Sequence, residues 1–369
     1  MVAGLSLMPW VPITSALAQL GLRVASTRLI WSEGTQVRRA SPFLMKSRRA
    51  PVLRCRASRS ALTSPRAIAL DLDGTLFTSS GQVSNETCTA LRAFVEHGGV
   101  AMIATGRGRS TAVRVACELE AQHGIIIRYI VCSEGALALQ RAPRSDSGVT
   151  PDEAWCVLWT GMRPGSAYPL GALRAALPGA SFAAEVDGLG GFIIDSEQYI
   201  DTIRSRSPGF AQRFLAGRQA TPDFDHVFGA SERIGWLRAL PENATEADAD
   251  ALCERVADAL TATAPGSDLQ VTTCSIVSLR SLGALTISTR GTDKSSGLAA
   301  ATAACGINAA DVLAFGDHDN DLAMFAWAGQ SVCPANANGN AKAAATWRSH
   351  LSNDEDFIGD ALRGLGFGA

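Results

Sequence analysis

Asp71 and Asp73 stand two residues apart, just after the apolar run at 67–70, in the stretch AIALDLDGTLFTSSG (67–81). A carboxylate pair at this spacing suits two jobs. One member can attack as a nucleophile, and the other can pass a proton to a leaving group. A short apolar run bounded by a polar, Gly-containing turn reads as a buried strand of a parallel sheet. The carboxyl end of such a strand is where ligands bind in open α/β sheets. Gly74 allows the tight turn that carries the chain away from the pair. Taken alone, an aspartate at a strand end is an ordinary turn former, so the pair needs company before it means anything.

Three further stretches supply it. AMIATGR (101–107) is a second apolar strand, ending in Thr105, Gly106 and Arg107. RGTDKSSGL (290–298) puts Lys294 at the start of a helix. VLAFGDHDNDLAMF (312–325) is a third strand ending in Asp317, with Asn320 and Asp321 on the turn after it. GTDKSS lacks the second glycine that a P-loop places before its lysine. In this order, over residues 67 to 357, the set resembles the haloacid dehalogenase superfamily of phosphohydrolases, and most of all its Cof-type sugar-phosphatase branch with an α/β cap.

The resemblance implies a Mg²⁺-dependent phosphatase acting on a small phosphorylated metabolite. Asp71 would attack phosphorus to form an aspartyl-phosphate. Asp73 would protonate the leaving alcohol, then take a proton from the hydrolytic water. The metal ligands would be the Asp71 carboxylate, the Asp73 backbone carbonyl and the Asp317 carboxylate. Asp321 would hold a metal-bound water or orient Lys294. Thr105 and the Gly106 N–H would donate to the phosphoryl oxygens, Lys294 would add positive charge, and Asn320 would help bind the group. Arg107 reads either as a substrate contact or as the partner of a nearby acid. The SEGAL turn (133–137) is similar to the family's Asn-Gly-Ala turn, with Ser133 and Glu134 replacing the polar amide pair. VCPANANGNAKAAA (332–345) aligns Asn336 and Ala337 with a family pair, while Cys333, Pro334 and Gly339 depart from the pattern; Phe357 stands where Gly is usual. Substrates implied by the branch are sugar phosphates, FMN or a riboflavin-pathway phosphate, and pyridoxal phosphate. The alternatives are a sugar phosphomutase and a catalytically degenerate binding protein.

These residues need a frame to hold them. Ser84 is a good N-cap for a helix over 85–97, which ends at Gly98 and Gly99. Strand 100–104, helix 108–122 and strand 129–133 follow. The alternation predicts a Rossmann-like, doubly wound parallel sheet. Helix 294–304, strand 312–316 and helix 320–328 complete it. Only a flap and one helix fit between Asp71 and the strand at 100, so a cap must be inserted between the second and third motifs. WCVLWT, SFAAEV, GGFIID, LQVTTCSIVSLRS and ALTIS read as its strands, and 244–262 as an amphipathic helix. Trp155, Trp159 and Trp236 fall in this region as core rather than as a stacking platform. The expected division is core at 63–138 and 286–369 and an α+β cap at 139–285, with a polar loop at 140–153.

The 369 residues carry a net charge of −2 that hides an asymmetry. Residues 1–66 hold ten Arg, one Lys and a single acid, Glu33, while the remainder carries an excess of twelve acids. An acidic body argues against a nucleic-acid partner. The nine cysteines include no CxxC pair and read as buried thiols of a reducing compartment. No apolar run approaches the roughly 20 residues of a membrane span. The Ser/Arg/Ala-rich leader, residues 1–62, has a transit-peptide composition. VLRCRAS (52–58) favours a plastid address over a mitochondrial or cytoplasmic one. A fluorescent protein fused after residue 65 should therefore collect in plastids; a signal that stays cytosolic would refute the targeting reading.

Overall fold

The computed structural model describes residues 62–142, 154–187 and 191–368. Almost all of the leader, and most of the loop expected at 140–153, lie outside the described residues. In chain order the strands are β1 (Ala67–Leu70), β2 (Val100–Ala104), β3 (Ile127–Cys132), β4 (Leu137–Arg141) and β5 (Trp155–Thr160), then β6 (Ser181–Val186), β7 (Gly191–Ile194) and β8 (Ile234–Leu240). The last five are β9 (Leu269–Thr273), β10 (Leu285–Thr289), β11 (Val312–Phe315), β12 (Gln330–Cys333) and β13 (Trp347–Arg348).

They form two sheets. One has the order β13-β12-β11-β1-β2-β3-β4-β5, the other β7-β6-β8-β10-β9. β1 lies at the middle of the first sheet, parallel to β11 on one side and to β2 on the other. Every residue of β1 is buried, as the unbroken apolar run AIAL requires of a strand covered on both faces. Helices Asn85–Glu96, Arg109–His123 and Phe357–Gly364 cover one face. Helices Lys294–Cys305, Leu322–Trp327 and Gly339–Ala344 cover the other. This is the doubly wound arrangement, and it brings the ends of β1, β2 and β11 to one edge. The helix expected at 85–97 starts where its cap places it, with the Ser84 side chain accepting from the Thr87 N–H at 3.0 Å.

The second sheet is wholly antiparallel. Helices Leu170–Ala176, Phe224–Ala230 and Ala249–Thr263 pack on one of its faces. Glu197–Arg206, Pro208–Phe214 and Val277–Arg280 pack on the other. The inserted unit starts later than residue 139. WCVLWT forms β5, which pairs antiparallel with β4 and, through it, with β3, so both strands extend the core sheet. At the other end, β10 belongs to the inserted sheet through Thr289. The difference is one of long-range pairing, which an apolar strand pattern does not reveal.

The connection between β3 and β4 is three residues long and tightly bent. Ser133, Glu134 and Gly135 all have positive φ, at 57°, 53° and 93°. A Cβ at Gly135 would run into the Asp293 carbonyl at the start of the helix that carries Lys294. Gly135→Ala would combine left-handed backbone strain with a displaced helix start. It should cost more than about 2 kcal/mol and lower Tm by several degrees. Thermal and urea unfolding check this, and a variant melting with the parent would contradict it.

Candidate active site

The site lies at the carboxyl ends of β1, β2 and β11, and its centre is a buried ammonium. Asp293 caps the helix Lys294–Cys305, its carboxylate accepting from the Ser296 N–H at 3.1 Å. That cap fixes Lys294 as the first helical residue. Its Nζ donates to Asp71 Oδ1 at 2.6 Å and to Asp321 Oδ1 at 2.7 Å. The Lys294 side chain is 1% exposed and that of Asp321 0%. Asp321 in turn accepts from the backbone N–H groups of Asp317 and His318, at 2.9 and 3.0 Å, through its other oxygen. One carboxylate thus orients the lysine and ties down the turn after β11. Asp317 accepts from the Thr75 hydroxyl at 3.3 Å, which links this turn to the one after β1.

Charge is out of balance here. Burial raises the Asp71 carboxyl well above the ordinary carboxylate range; Lys294 opposes that rise, and Asp321 and Asp317 add to it. Burial, with Asp321, pushes Asp317 up to about 7. Lys294 is held in its charged form, since Asp321 and Asp71 outweigh the effect of its burial. Three carboxylates therefore share one ammonium in a poorly solvated place. Oxygens of Asp71, Asp317 and Asp321 all lie within 4.8 Å of one another. An all-oxygen donor set with surplus negative charge suits a hard divalent cation, so the residues present fit one.

The other expected site residues surround this centre. Thr105 is buried at the end of β2, its N–H bonded to the Val131 carbonyl at 2.8 Å and its hydroxyl accepting from the Arg107 N–H at 3.1 Å. Asp73 is half-exposed, and Arg107 grips it with two hydrogen bonds, Nε to Oδ2 at 2.7 Å and Nη2 to Oδ1 at 2.6 Å. Arg107 thus takes the second of its two sequence readings, as the partner of an acid. Its guanidinium also lies over the rings of Phe77 and Phe214, 5.2 and 5.8 Å from the centroids. Asn320 turns towards Glu134, Nδ2 to Oε2 at 3.3 Å. Asn336 donates to the Gly74 carbonyl at 3.3 Å, and Asn353 to the Phe77 carbonyl at 2.8 Å, so the segments after β12 and β13 brace the loop that follows β1.

Glu134 is the residue that motif reading did not place. Its carboxylate packs on the loop after β2, where a Cβ on Gly106 would lie 2.7 Å from Oε1. Across the boundary with the inserted unit, it accepts from Ser275 Oγ at 2.8 Å and from Arg238 Nη2 at 3.3 Å. The available signal was its departure from the amide expected in that turn.

The comparisons decide the family. The sequence profile of the haloacid dehalogenase-like hydrolases matches residues 68–148 and 242–362, just over half of the chain. The chain belongs to the haloacid dehalogenase-like hydrolases. Solved structures agree on the fold. A haloacid dehalogenase-like hydrolase from Bacteroides thetaiotaomicron is 21% identical with a TM-score of 0.60, covering 81% of this chain and 98% of its own. A sugar phosphatase of subclass IIB of the superfamily is 20% identical with a TM-score of 0.60, covering 82% and 99%. Another phosphatase of the superfamily, from Bacteroides thetaiotaomicron, is 18% identical with a TM-score of 0.62, covering 84% and 99%. No curated protein sequence matches. No helix of the described residues is long and apolar enough to cross a membrane.

The surplus charge sets a pH dependence. A carboxyl raised to about 7 keeps its proton in the folded state over a range where the unfolded chain has lost it. In metal-free protein its stabilising contribution should be complete below about pH 4 and lost as pH rises to about 7. A cation must displace that proton, so Mg²⁺ affinity should fall as pH drops below 7, by up to about tenfold per unit. Thermal shifts with and without Mg²⁺ between pH 5.5 and 8 measure both. Affinity that does not change across pH 7 would contradict the charge assignment.

Proposed function

We propose that this hydrolase is a Mg²⁺-dependent phosphatase that cleaves a small-molecule phosphate monoester through an aspartyl-phosphate on Asp71. The observation that carries the reading is the buried Lys294 joined to Asp71 and Asp321, with Asp317 in reach of both carboxylates. The likeness to a solved sugar phosphatase supports it.

Phosphoryl transfer requires a nucleophile in line with the leaving oxygen and neutralisation of the phosphoryl charge. Asp71 is the nucleophile, at the end of the central strand. Lys294 holds the attacking carboxylate in place and contributes positive charge beside the phosphoryl group. Thr105 and the Gly106 N–H take phosphoryl oxygens at the end of β2. Mg²⁺, held by the Asp71 and Asp317 carboxylates and the Asp73 carbonyl, would neutralise phosphoryl charge and let a dianion approach the aspartates. Asp73 moves the protons, to the leaving oxygen first and from the attacking water afterwards. A free carboxylate cannot donate, so its bidentate pair with Arg107 describes the resting site. The basic leader is read as an organelle address, with the plastid favoured.

A phosphomutase would need a cap arginine free to hold a second phosphoryl group. Arg238, the buried arginine of β8, is instead held by Glu134, which counts against that alternative. A degenerate binding protein would have no use for an intact set of four acids and a lysine.

A phosphate-release screen with Mg²⁺ across sugar phosphates, FMN and pyridoxal phosphate tests the class, and silence on every ester would sink it. Asp71→Asn should abolish turnover and keep the fold. Asp73→Asn should lower kcat by about 10²–10⁴-fold on alkyl phosphates. It should spare the first step on para-nitrophenyl phosphate, whose leaving group needs no proton. If Asp73→Asn acts instead by raising the Mg²⁺ requirement equally for both substrates, the acid–base assignment is wrong.

A further inference from the structure

The wall of the site carries a carboxylate, that of Glu134, held by Arg238. Glu134 sits on the short turn between β3 and β4, its carboxylate against Gly106 and within hydrogen-bond reach of Asn320. Gly106 belongs to the phosphoryl-binding set of the proposed function, and the family resemblance implies the same role for Asn320. Behind Asp321 and Asp71, Glu134 adds to the negative charge that favours the charged form of Lys294. The carboxylate therefore lies between the loop after β2 and the turn after β11, beside the place proposed for the phosphoryl group. It is not a loose surface group. Ser275 and Arg238 of the inserted unit hold it, and the backbone beneath it is left-handed at φ 53° and ψ 29°. A non-glycine residue keeps such a conformation only where its surroundings impose it.

Arg238 gives the second half of the argument. It is 6% exposed, points from β8 across the boundary, and has one side-chain hydrogen bond to an acid, that to Glu134. Its Nε is buried without a partner. A guanidinium with a free donor beside a phosphoryl site is what a second anionic group would seek. Glu134 already occupies it, and the buried Glu185 carboxylate acts on the same guanidinium.

We propose that Glu134 is a specificity-determining residue that, by holding Arg238, excludes substrates with a second anionic group near the phosphoryl and admits neutral or cationic leaving groups. This rests on the phosphatase reading and goes beyond it by naming the charge class of the substrate. It also makes a prediction in the opposite sense for the variant. Removing the carboxylate leaves Arg238 without an acid partner at the turn, so the same pocket should then attract the anionic groups that it rejects.

Three small esters that differ in one group test this: phosphoglycolate (carboxylate), 2-hydroxyethyl phosphate (hydroxyl) and phosphoethanolamine (ammonium). Each is measured with Mg²⁺ as a competitor of para-nitrophenyl phosphate hydrolysis, and by calorimetry on the Asp71→Asn protein. The parent should bind phosphoglycolate at least about tenfold more weakly than the other two. Glu134→Gln should narrow or reverse that order, mainly through tighter phosphoglycolate binding, and Glu134→Gln with Arg238→Gln should lose the gain. Equal affinity of the parent for the three esters would overturn the proposal, as would a parallel loss on all three in Glu134→Gln. Failure of the phosphatase reading has a different signature: no para-nitrophenyl phosphate turnover, while calorimetry still ranks the three esters.

Discussion

A lysine ammonium buried between carboxylates is the constraint to which the rest of this structure answers. Lys294 has no solvent to share its charge, and the removal of one partner from such a pair strands the other at a cost of roughly 3–5 kcal/mol. Its position is therefore defined from several sides at once. Asp293 caps the helix, Gly135 lets the β3–β4 turn pass against the helix start, and Asp321 ties the turn after β11 to the same Nζ. The ends of β1 and β11 meet because one charge has to be satisfied by residues from both of them. The compensation is incomplete by design, since three carboxylates face one ammonium. Apolar packing alone would give a core of this shape, but it would not explain this excess.

The boundary between the core and the inserted unit is built differently. It is largely polar and charged. Glu134 meets Ser275 and Arg238, Ser133 donates to Glu185 at 2.6 Å, and Arg280 pairs with Asp319. Arg107 lies over Phe214 of the inserted unit. Each unit keeps its own hydrophobic core behind this layer. Polar pairs can be exchanged for water with little net loss, whereas apolar surface cannot. A boundary of this kind costs less to open than either core would.

Much of this was legible in the sequence, for a physical reason. Buried parallel strands are short apolar runs, and a run that ends in Asp-x-Asp-Gly or Thr-Gly-Arg announces both a strand and the polar edge beyond it. The four clusters consequently fell where the structure has them: Asp71, Thr105, Lys294 and Asp317 lie at one sheet edge. Three things were not legible. WCVLWT has the composition of a strand in either sheet, and only its pairing with β4 assigns it to the core. Arg107 could have faced substrate or acid, and the choice depends on a loop geometry that spacing does not encode. Glu134 broke the pattern of its turn, and a departure from a pattern shows where to look without showing what is there.

That turn joins the edge of the core sheet to the inserted unit. Within three residues the chain touches the loop after β2 at Gly106, the lysine helix at Asp293 and the inserted sheet through Glu185 and Arg238. Three consecutive left-handed residues are needed to make all of these contacts, and the strain falls on non-glycine side chains at two of them. An asparagine would tolerate this backbone better than a glutamate does. Local preference therefore does not explain the glutamate; its hydrogen bonds across the boundary do. Removing the Glu134 carboxylate would take away its hydrogen bonds to Ser275 and Arg238 and the acid beside Gly106 together. On the proposed reading, substrate choice in this chain would be set as much by a strained turn of the core as by the unit inserted beside it.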